Sequence, residues 1–137
     1  MMNEKIEPML SYLSKHPFDS PNHIFEIKFD GTRTIAFLGK TTRLQNRRFV
    51  DLTYRYPELQ QLNRNIKAKE AILDGEIVVF QNGLPNFYKL QEREHQTKKF
   101  KINLLSEQMP AVYVTFDLLY LNGKKLITQP LIKRREI

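Results

Sequence analysis

Ile24-Phe25-Glu26-Ile27-Lys28-Phe29-Asp30-Gly31-Thr32-Arg33 reads as a strand that ends in a turn with a lysine at its lip. Phe25, Ile27 and Phe29 alternate with Ile24, Glu26 and Lys28, the period-2 pattern that predicts a strand over about 23–29. Glu26 and Lys28 then share one face and the three apolar side chains the other. Asp30-Gly31 turns the chain, and Arg33 opens a second strand over about 33–39. An ammonium, a carboxylate and a guanidinium converge at one strand end, which suits a lysine acting on a phosphate.

Around this stretch lies a chain of 137 residues, 41% hydrophobic and 27% charged. That is enough for one domain with a real core and too little for two. No apolar run is long enough to span a membrane, and Met1-Met2-Asn3-Glu4-Lys5 is not the start of a secretory leader. Zero cysteines exclude disulfides, thiolate zinc sites and cysteine nucleophiles. His16, His23 and His95 are scattered without metal-ligand spacing. A cytoplasmic address is expected. The formal net charge is +7, drawn from clusters at Arg43, Arg47 and Arg48, at Lys98, Lys99 and Lys101, and at Lys124, Lys125, Lys133, Arg134 and Arg135. Each cluster alone is an ordinary solvated face; together they point to a polyanion.

Along the rest of the chain, Ile6, Met9, Leu10 and Leu13 form a stripe that predicts a short helix over 4–15. Strands are expected at 41–45 and, interrupted by Asp74-Gly75, at 71–80. Tyr56-Pro57-Glu58-Leu59 predicts a helix start running to about Asn65. Asn82-Gly83 marks a turn, and Asn86 can cap a helix carrying Phe87, Leu90 and Gln91 and ending near His95. Residues 97–110 read as a basic stretch followed by a short amphipathic helix. The longest strand, 111–121, closes in the hairpin signal Asn122-Gly123, and Pro130 opens a last helix. Asp-Gly in mid-strand weakens a strand, so something must need that carboxylate and the close backbone approach.

Lys28-x-Asp30-Gly31-x-Arg33 matches the KxDGxR nucleophile motif of the covalent nucleotidyltransferases, and its context resembles the ATP-dependent DNA ligases, in particular the bacterial and archaeal ligase domains of end-joining repair. Four further segments resemble that family in the same order. Leu44-Gln45-Asn46-Arg47-Arg48-Phe49-Val50-Asp51-Leu52-Thr53 with Arg55-Tyr56-Pro57-Glu58-Leu59 resembles the family's Leu-x-Ser-Arg-Asn-Gly-x-Asp-x-Thr segment and the Arg-Phe/Tyr-Pro-Glu after it. Here Asn46, Arg48 and Phe49 replace Ser, Asn and Gly, and a phenylalanine adopts a positive-φ turn only at a cost. Leu73-Asp74-Gly75-Glu76 matches the DGE motif. Phe87-x-x-Leu90-Gln91-x-Arg93 resembles a packing helix whose Arg93 could reach DNA phosphate. Val114-Thr115-Phe116-Asp117 matches the strand whose aromatic stacks on adenine, and Pro130-Leu131-x-x-Arg134-Arg135 resembles the family's next helix start.

The resemblance implies an α+β fold, the N-terminal portion of the nucleotidyltransferase (adenylation) fold, with a mainly antiparallel sheet and flanking helices, residues 1–137 forming part of one adenylation domain. It implies that Lys28 attacks the α-phosphate of ATP to form lysyl-AMP. Asp30, Gly31 and Arg33 would shape the turn and meet the ribose and phosphate. Glu26 and the backbone of Ile27 would lie near the adenine, Arg47 would contact the nucleotide, and Phe116 would stack on the purine. Asp117 would point away, toward the core or Arg33. Glu76 would bind the ribose or help hold Mg²⁺. The expected partner is nicked or broken double-stranded DNA in the nucleoid. An RNA ligase or capping enzyme would share Lys28, Asp30 and Glu76 but not the Tyr-Pro-Glu-Leu segment; a non-catalytic binding remnant is the alternative of another class. The family's later EG strand, Lys-x-Lys strand and OB-fold domain have no match in these residues. Apolar sheet surface at Ile77, Val79, Val112 and Val114 is therefore expected to be exposed and to favour self-association.

Overall fold

The long apolar runs of the second half of the chain assemble into an antiparallel sheet. The computed structural model describes all residues from Met1 to Ile137. Its strands are β1 (Thr32–Leu38), β2 (Thr42–Asn46), β3 (Ala71–Gln81), β4 (Leu84–Pro85), β5 (Ala111–Leu121) and β6 (Lys124–Lys125). They form one six-stranded sheet in the order β2-β1-β3-β5-β6, with β4 folded back on β3. Every pairing is antiparallel. Asn82-Gly83 and Asn122-Gly123 all take positive φ, as two-residue hairpin turns require.

Both faces of the sheet are covered. Ala36, Leu38, Ile77 and Val79 point to one side and meet Leu52, Tyr56, Leu59 and Leu90 in the main core. Ile35, Phe37, Ile72 and Leu119 point to the other, where Met1, Met2 and Ile6 pack on them. The period of 2 along β1 and β3 feeds these two layers from alternate residues. Helices α1 (Phe87–Glu94) and α2 (Lys99–Gln108) flank the main core, and α3 (Leu131–Arg135) lies beside β5. The Asn86 side chain caps α1 by accepting from the Lys89 N–H at 3.1 Å, as its position before the helical pattern suggests. Pro130 precedes α3 as expected.

Three expectations fail. The helix over 4–15 does not form. Carbonyls of its first turn are taken by side chains of β2: Arg43 donates to that of Glu4, as to Met2 just before it, and Gln45 Nε2 donates to that of Ile6 at 2.8 Å. Pro8 removes another N–H from any helical ladder. The strand over 23–29 does not form either: the segment has no paired neighbour, and Phe25 and Ile27 are exposed. Phe29 meets the sheet edge-on to Phe80 at 6.4 Å, whereas Phe25 packs only on Phe18 of the preceding segment, at 5.8 Å. A period-2 pattern is a strand only where another strand accepts its hydrogen bonds. The helix from Tyr56 to Asn65 is replaced by two 3₁₀ turns, Pro57–Leu59 and Leu62–Asn65, after a third at Thr53–Arg55. Asn63 donates to the carbonyls of Gly39 and Lys40, which holds this segment to the β1–β2 turn. The expected exposure of β3 is also corrected, because Ile77 and Val79 are buried in the main core; Val112 is exposed and Val114 half-buried.

Candidate nucleotide site

Gly31 is where the lysine segment meets the sheet. A Cβ at this position would lie 2.2 Å from the Ile77 carbonyl oxygen and 2.9 Å from Glu76 Cγ. Only glycine lets the chain pass so close to β3. Lys28 therefore lies on an unpaired segment that meets the sheet at Gly31, and not at the strand end its alternation suggested. Lys28 and Asp30 are both exposed, and the ion pairs of the fold do not join them.

The register of β1 on β3 sets Arg33 opposite Glu76 and Ile35 opposite Asp74. Arg33 consequently reaches diagonally to Asp74, with Nε and Nη2 each 2.8 Å from a carboxylate oxygen. The same guanidinium lies over the Phe116 ring at 4.9 Å. Asp74 is almost fully buried, and its bidentate bond holds Arg33 more firmly cationic than an ordinary arginine. Asp74 is thus the site residue that the sequence signalled only as an unexplained carboxylate in mid-strand. Its neighbour Gly75 has a separate cause: a Cβ there would lie 2.6 Å from Tyr113 Cζ. The buried Tyr113 hydroxyl lies 2.9 Å from the Thr34 carbonyl and 3.1 Å from that of Leu73, and burial pushes its pKa well up. A register shift between Asp74 and Gly75 records the local irregularity.

Glu76 is half-buried. Desolvation raises its carboxyl above the usual range, opposed by the charges of Arg33 and Lys28 and by the Gly31 N–H. Gly31, Thr32, Arg33, Arg47, Glu76 and Phe87 line one depression of about 360 Å³. Lys28 does not line this depression, and its charge is felt at Glu76. Arg47 stands in the loop where Phe49 replaces glycine, and Phe49 does adopt the left-handed conformation, at φ 63°. The backbone at Phe49 thus takes the conformation that glycine favours, at a cost to an L-residue. A larger depression of about 530 Å³, around Lys40, Asn63 and Arg64, lies away from these groups.

One expected role is overturned. Arg93 does not face solvent. It is buried, pairs with Glu58, and donates to the carbonyls of Arg55 and Met109. Asp117, expected toward the core or Arg33, is largely buried and takes a bidentate bond from Arg134, at 2.7 and 2.6 Å. Glu26 is met by Arg135 of α3, a contact that no sequence signal foretold beyond the Arg134-Arg135 doublet itself.

A curled antiparallel sheet with flanking helices, a lysine-bearing glycine turn and a charged cleft beside an aromatic define a nucleotidyltransferase fold. The comparisons agree. Residues 4–137 match the family described as ATP dependent DNA ligase domain, and the chain belongs to that family. It is 40% identical over 114 residues to a DNA ligase of Pyrobaculum calidifontis, covering 82% of this chain and 20% of that protein. It is 33% identical to the SPbeta prophage-derived DNA ligase-like protein LigB of Bacillus subtilis, covering 96% of this chain and 46% of that protein. The solved mycobacterial DNA ligase D complexed with ATP and MES superposes with a TM-score of 0.67 at 30% identity, over 81% of this chain and 34% of that one. The chain therefore spans about a fifth of the length of its archaeal relative and a third of the mycobacterial ligase structure. No helix is long and apolar enough to cross a membrane.

Proposed function

We propose that these residues form the nucleotide-accepting part of an ATP-dependent DNA ligase, with residues 1–137 as one portion of its adenylation domain and Lys28 as the nucleophile. The observation that carries this reading is the close packing of Gly31 on Glu76 and Ile77, which brings the Lys28 segment to the same depression as Arg33, Arg47 and Glu76. Lys28, which is exposed, first gives up its ammonium proton to solvent water. Its Nζ then forms a bond to the α-phosphorus of ATP as the bond to the bridging oxygen breaks and pyrophosphate leaves. Arg33 and Arg47 supply positive charge where the departing phosphates accumulate negative charge. The Phe116 ring offers a stacking surface to the purine, Glu26 an acceptor for its amine, and Asp30 a polar edge for the ribose.

The donor set fits a divalent cation held largely by substrate oxygens and water. Asp74 is engaged by Arg33, and no group of three or more acidic, histidine or cysteine side chains could cage a metal alone. Glu76 remains as the protein ligand, an arrangement that suits Mg²⁺. Such an ion would neutralise phosphate charge. From Lys28 the adenylyl group would pass to the 5′-phosphate at a nick in double-stranded DNA, and a 3′-hydroxyl would then displace AMP, in the cytoplasm and on nucleoid DNA. The exposed apolar side chains at Leu10, Tyr12, Leu13 and Phe18 favour self-association of this chain.

Incubation with α-phosphate-labelled ATP, read on a denaturing gel, tests the nucleophile. Lys28→Ala is expected to abolish protein-bound label while leaving the fold intact, since Lys28 is exposed. Label that persists in this variant rules Lys28 out. The 137 residues alone are expected to bind ATP weakly and not to seal nicked DNA, because they carry no counterpart of the family's later lysine pair or OB fold.

A further inference from the structure

The doublet Arg134-Arg135 has no part in the chemistry above, yet both guanidinium groups converge on the strand that carries Phe116. Arg134 is locked by its bidentate bond to Asp117 and by donating to the Gln129 carbonyl. That fixes α3 against β5. Arg135, the next residue, then directs Nη1 at two acceptors at once, Glu26 Oε1 and, 3.4 Å away, the Phe116 carbonyl oxygen. One nitrogen thus ties the otherwise unpaired lysine segment to the backbone of the residue whose ring is the stacking surface. We propose that Arg135 is a positioning residue for base selection: it holds the Glu26 carboxylate at the edge of a base stacked on Phe116, where the carboxylate discriminates in favour of a purine with an exocyclic amine. The inference rests on the nucleotide reading given above and deepens it.

The chemistry follows from donor and acceptor counting. An ionised carboxylate only accepts hydrogen bonds, at two oxygens with about four lone-pair sites. Arg135 pairs with Oε1, and the carboxylate keeps further lone-pair sites for a donor on the base. A 6-amino purine presents an N–H donor at its edge; a 6-oxo purine presents a carbonyl oxygen, and two acceptors facing one another leave both unpaired. Sites built to satisfy a polar group reject ligands that lack its complement strongly. Without Arg135, Glu26 would sit on a segment with no strand partner, and its carboxylate would have no fixed direction. The ion pair is about 38% exposed on one side and 39% on the other, so it adds little to folding stability. Its consequence is placement.

The test compares ATP with inosine triphosphate, which differs at the 6-position, by NMR chemical-shift titration of this chain up to millimolar nucleotide, a range that suits weak binding. The wild-type chain is expected to favour ATP by about 10-fold. Arg135→Ala and Glu26→Gln should each bring the ratio close to one, the double variant should go no further, and Arg135→Lys should restore part of the preference. Melting temperatures should stay within a few degrees of wild type. An unchanged ATP-to-inosine ratio in Arg135→Ala overturns the inference while leaving the nucleotide reading standing. So does a large fall in melting temperature with equal loss of both nucleotides, which would make Arg135 a structural residue. Failure of the wild type to bind either nucleotide would overturn the nucleotide reading and this inference with it.

Discussion

Removing the Glu58 carboxylate should damage this protein more than any single change at the candidate site. Glu58 comes from the Tyr-Pro-Glu-Leu segment and Arg93 from α1, and the two meet across the main core with the Arg93 side chain only 1% exposed. Arg93 Nη2 lies 3.1 Å from Glu58 Oε2, and Nη1 bonds the other carboxylate oxygen, which also accepts the Ala111 N–H at 2.8 Å. Glu58→Ala strands the guanidinium with two backbone carbonyls and orphans the first N–H of β5. Breaking a buried pair from one side costs about 3–5 kcal/mol. That is a large part of the ~5–15 kcal/mol that holds a domain together. Urea unfolding followed by circular dichroism measures it. Arg93→Met should cost less, because the Glu58 side chain is 18% exposed and its charge can reach water. The double variant should be more stable than the two losses summed, since no uncompensated charge remains. The exposed Lys89–Glu92 pair is the control, with a loss below about 0.5 kcal/mol on Lys89→Ala. A loss under 1 kcal/mol for Glu58→Ala, or strict additivity in the double variant, would refute the placement of Arg93 as a core ion and return it to the DNA-facing role its helix suggested.

Three other perturbations probe the neighbouring elements. Phe49→Gly should raise stability by about 1 kcal/mol, because the left-handed backbone at this exposed phenylalanine costs an L-residue about 1–2 kcal/mol and glycine returns part of that as chain entropy; Phe49→Ala keeps the Cβ and should gain nothing, and thermal melting of both decides. Phe116→Ala should weaken ATP binding by about 1–3 kcal/mol, the worth of base stacking on an aromatic, and also free Arg33 from the ring face; unchanged affinity with an equal loss of melting temperature would make it a core residue. Glu76 has a folded pKa raised by burial, so its contribution to stability is present below the unfolded value and is lost as pH rises through the folded one. Glu76→Gln should therefore stabilise the chain at neutral pH relative to pH 4 and flatten stability between them, whereas a steeper dependence in the variant would contradict the burial argument.

Much of the sheet was legible because its signals are local. The strands expected over 33–39, 71–80 and 111–121, the Asn-Gly turns and the Asn86 cap each involve backbone geometry over a few residues, and each stands where the sequence placed it. The substitution of phenylalanine for glycine at position 49 was equally readable as strain, because φ is a property of one residue. The elements that misled were those whose backbone groups find partners far away in the chain. The helical stripe over 4–15 and the alternation over 23–29 are real patterns, but Arg43 and Gln45 capture the carbonyls of the first, and no strand comes beside the second. At the site, residue types and order named Lys28, Gly31, Arg33, Glu76 and Phe116 as candidates without saying how they meet. Register decided that: Arg33 sits opposite Glu76 but bonds Asp74, and Asp117 turns to Arg134 instead. A charged side chain is reported by sequence only as a charge. Its partner is chosen by which strands lie side by side, and at separations of 41 residues for Arg33 with Asp74 and 35 for Arg93 with Glu58, only the folded chain makes that choice.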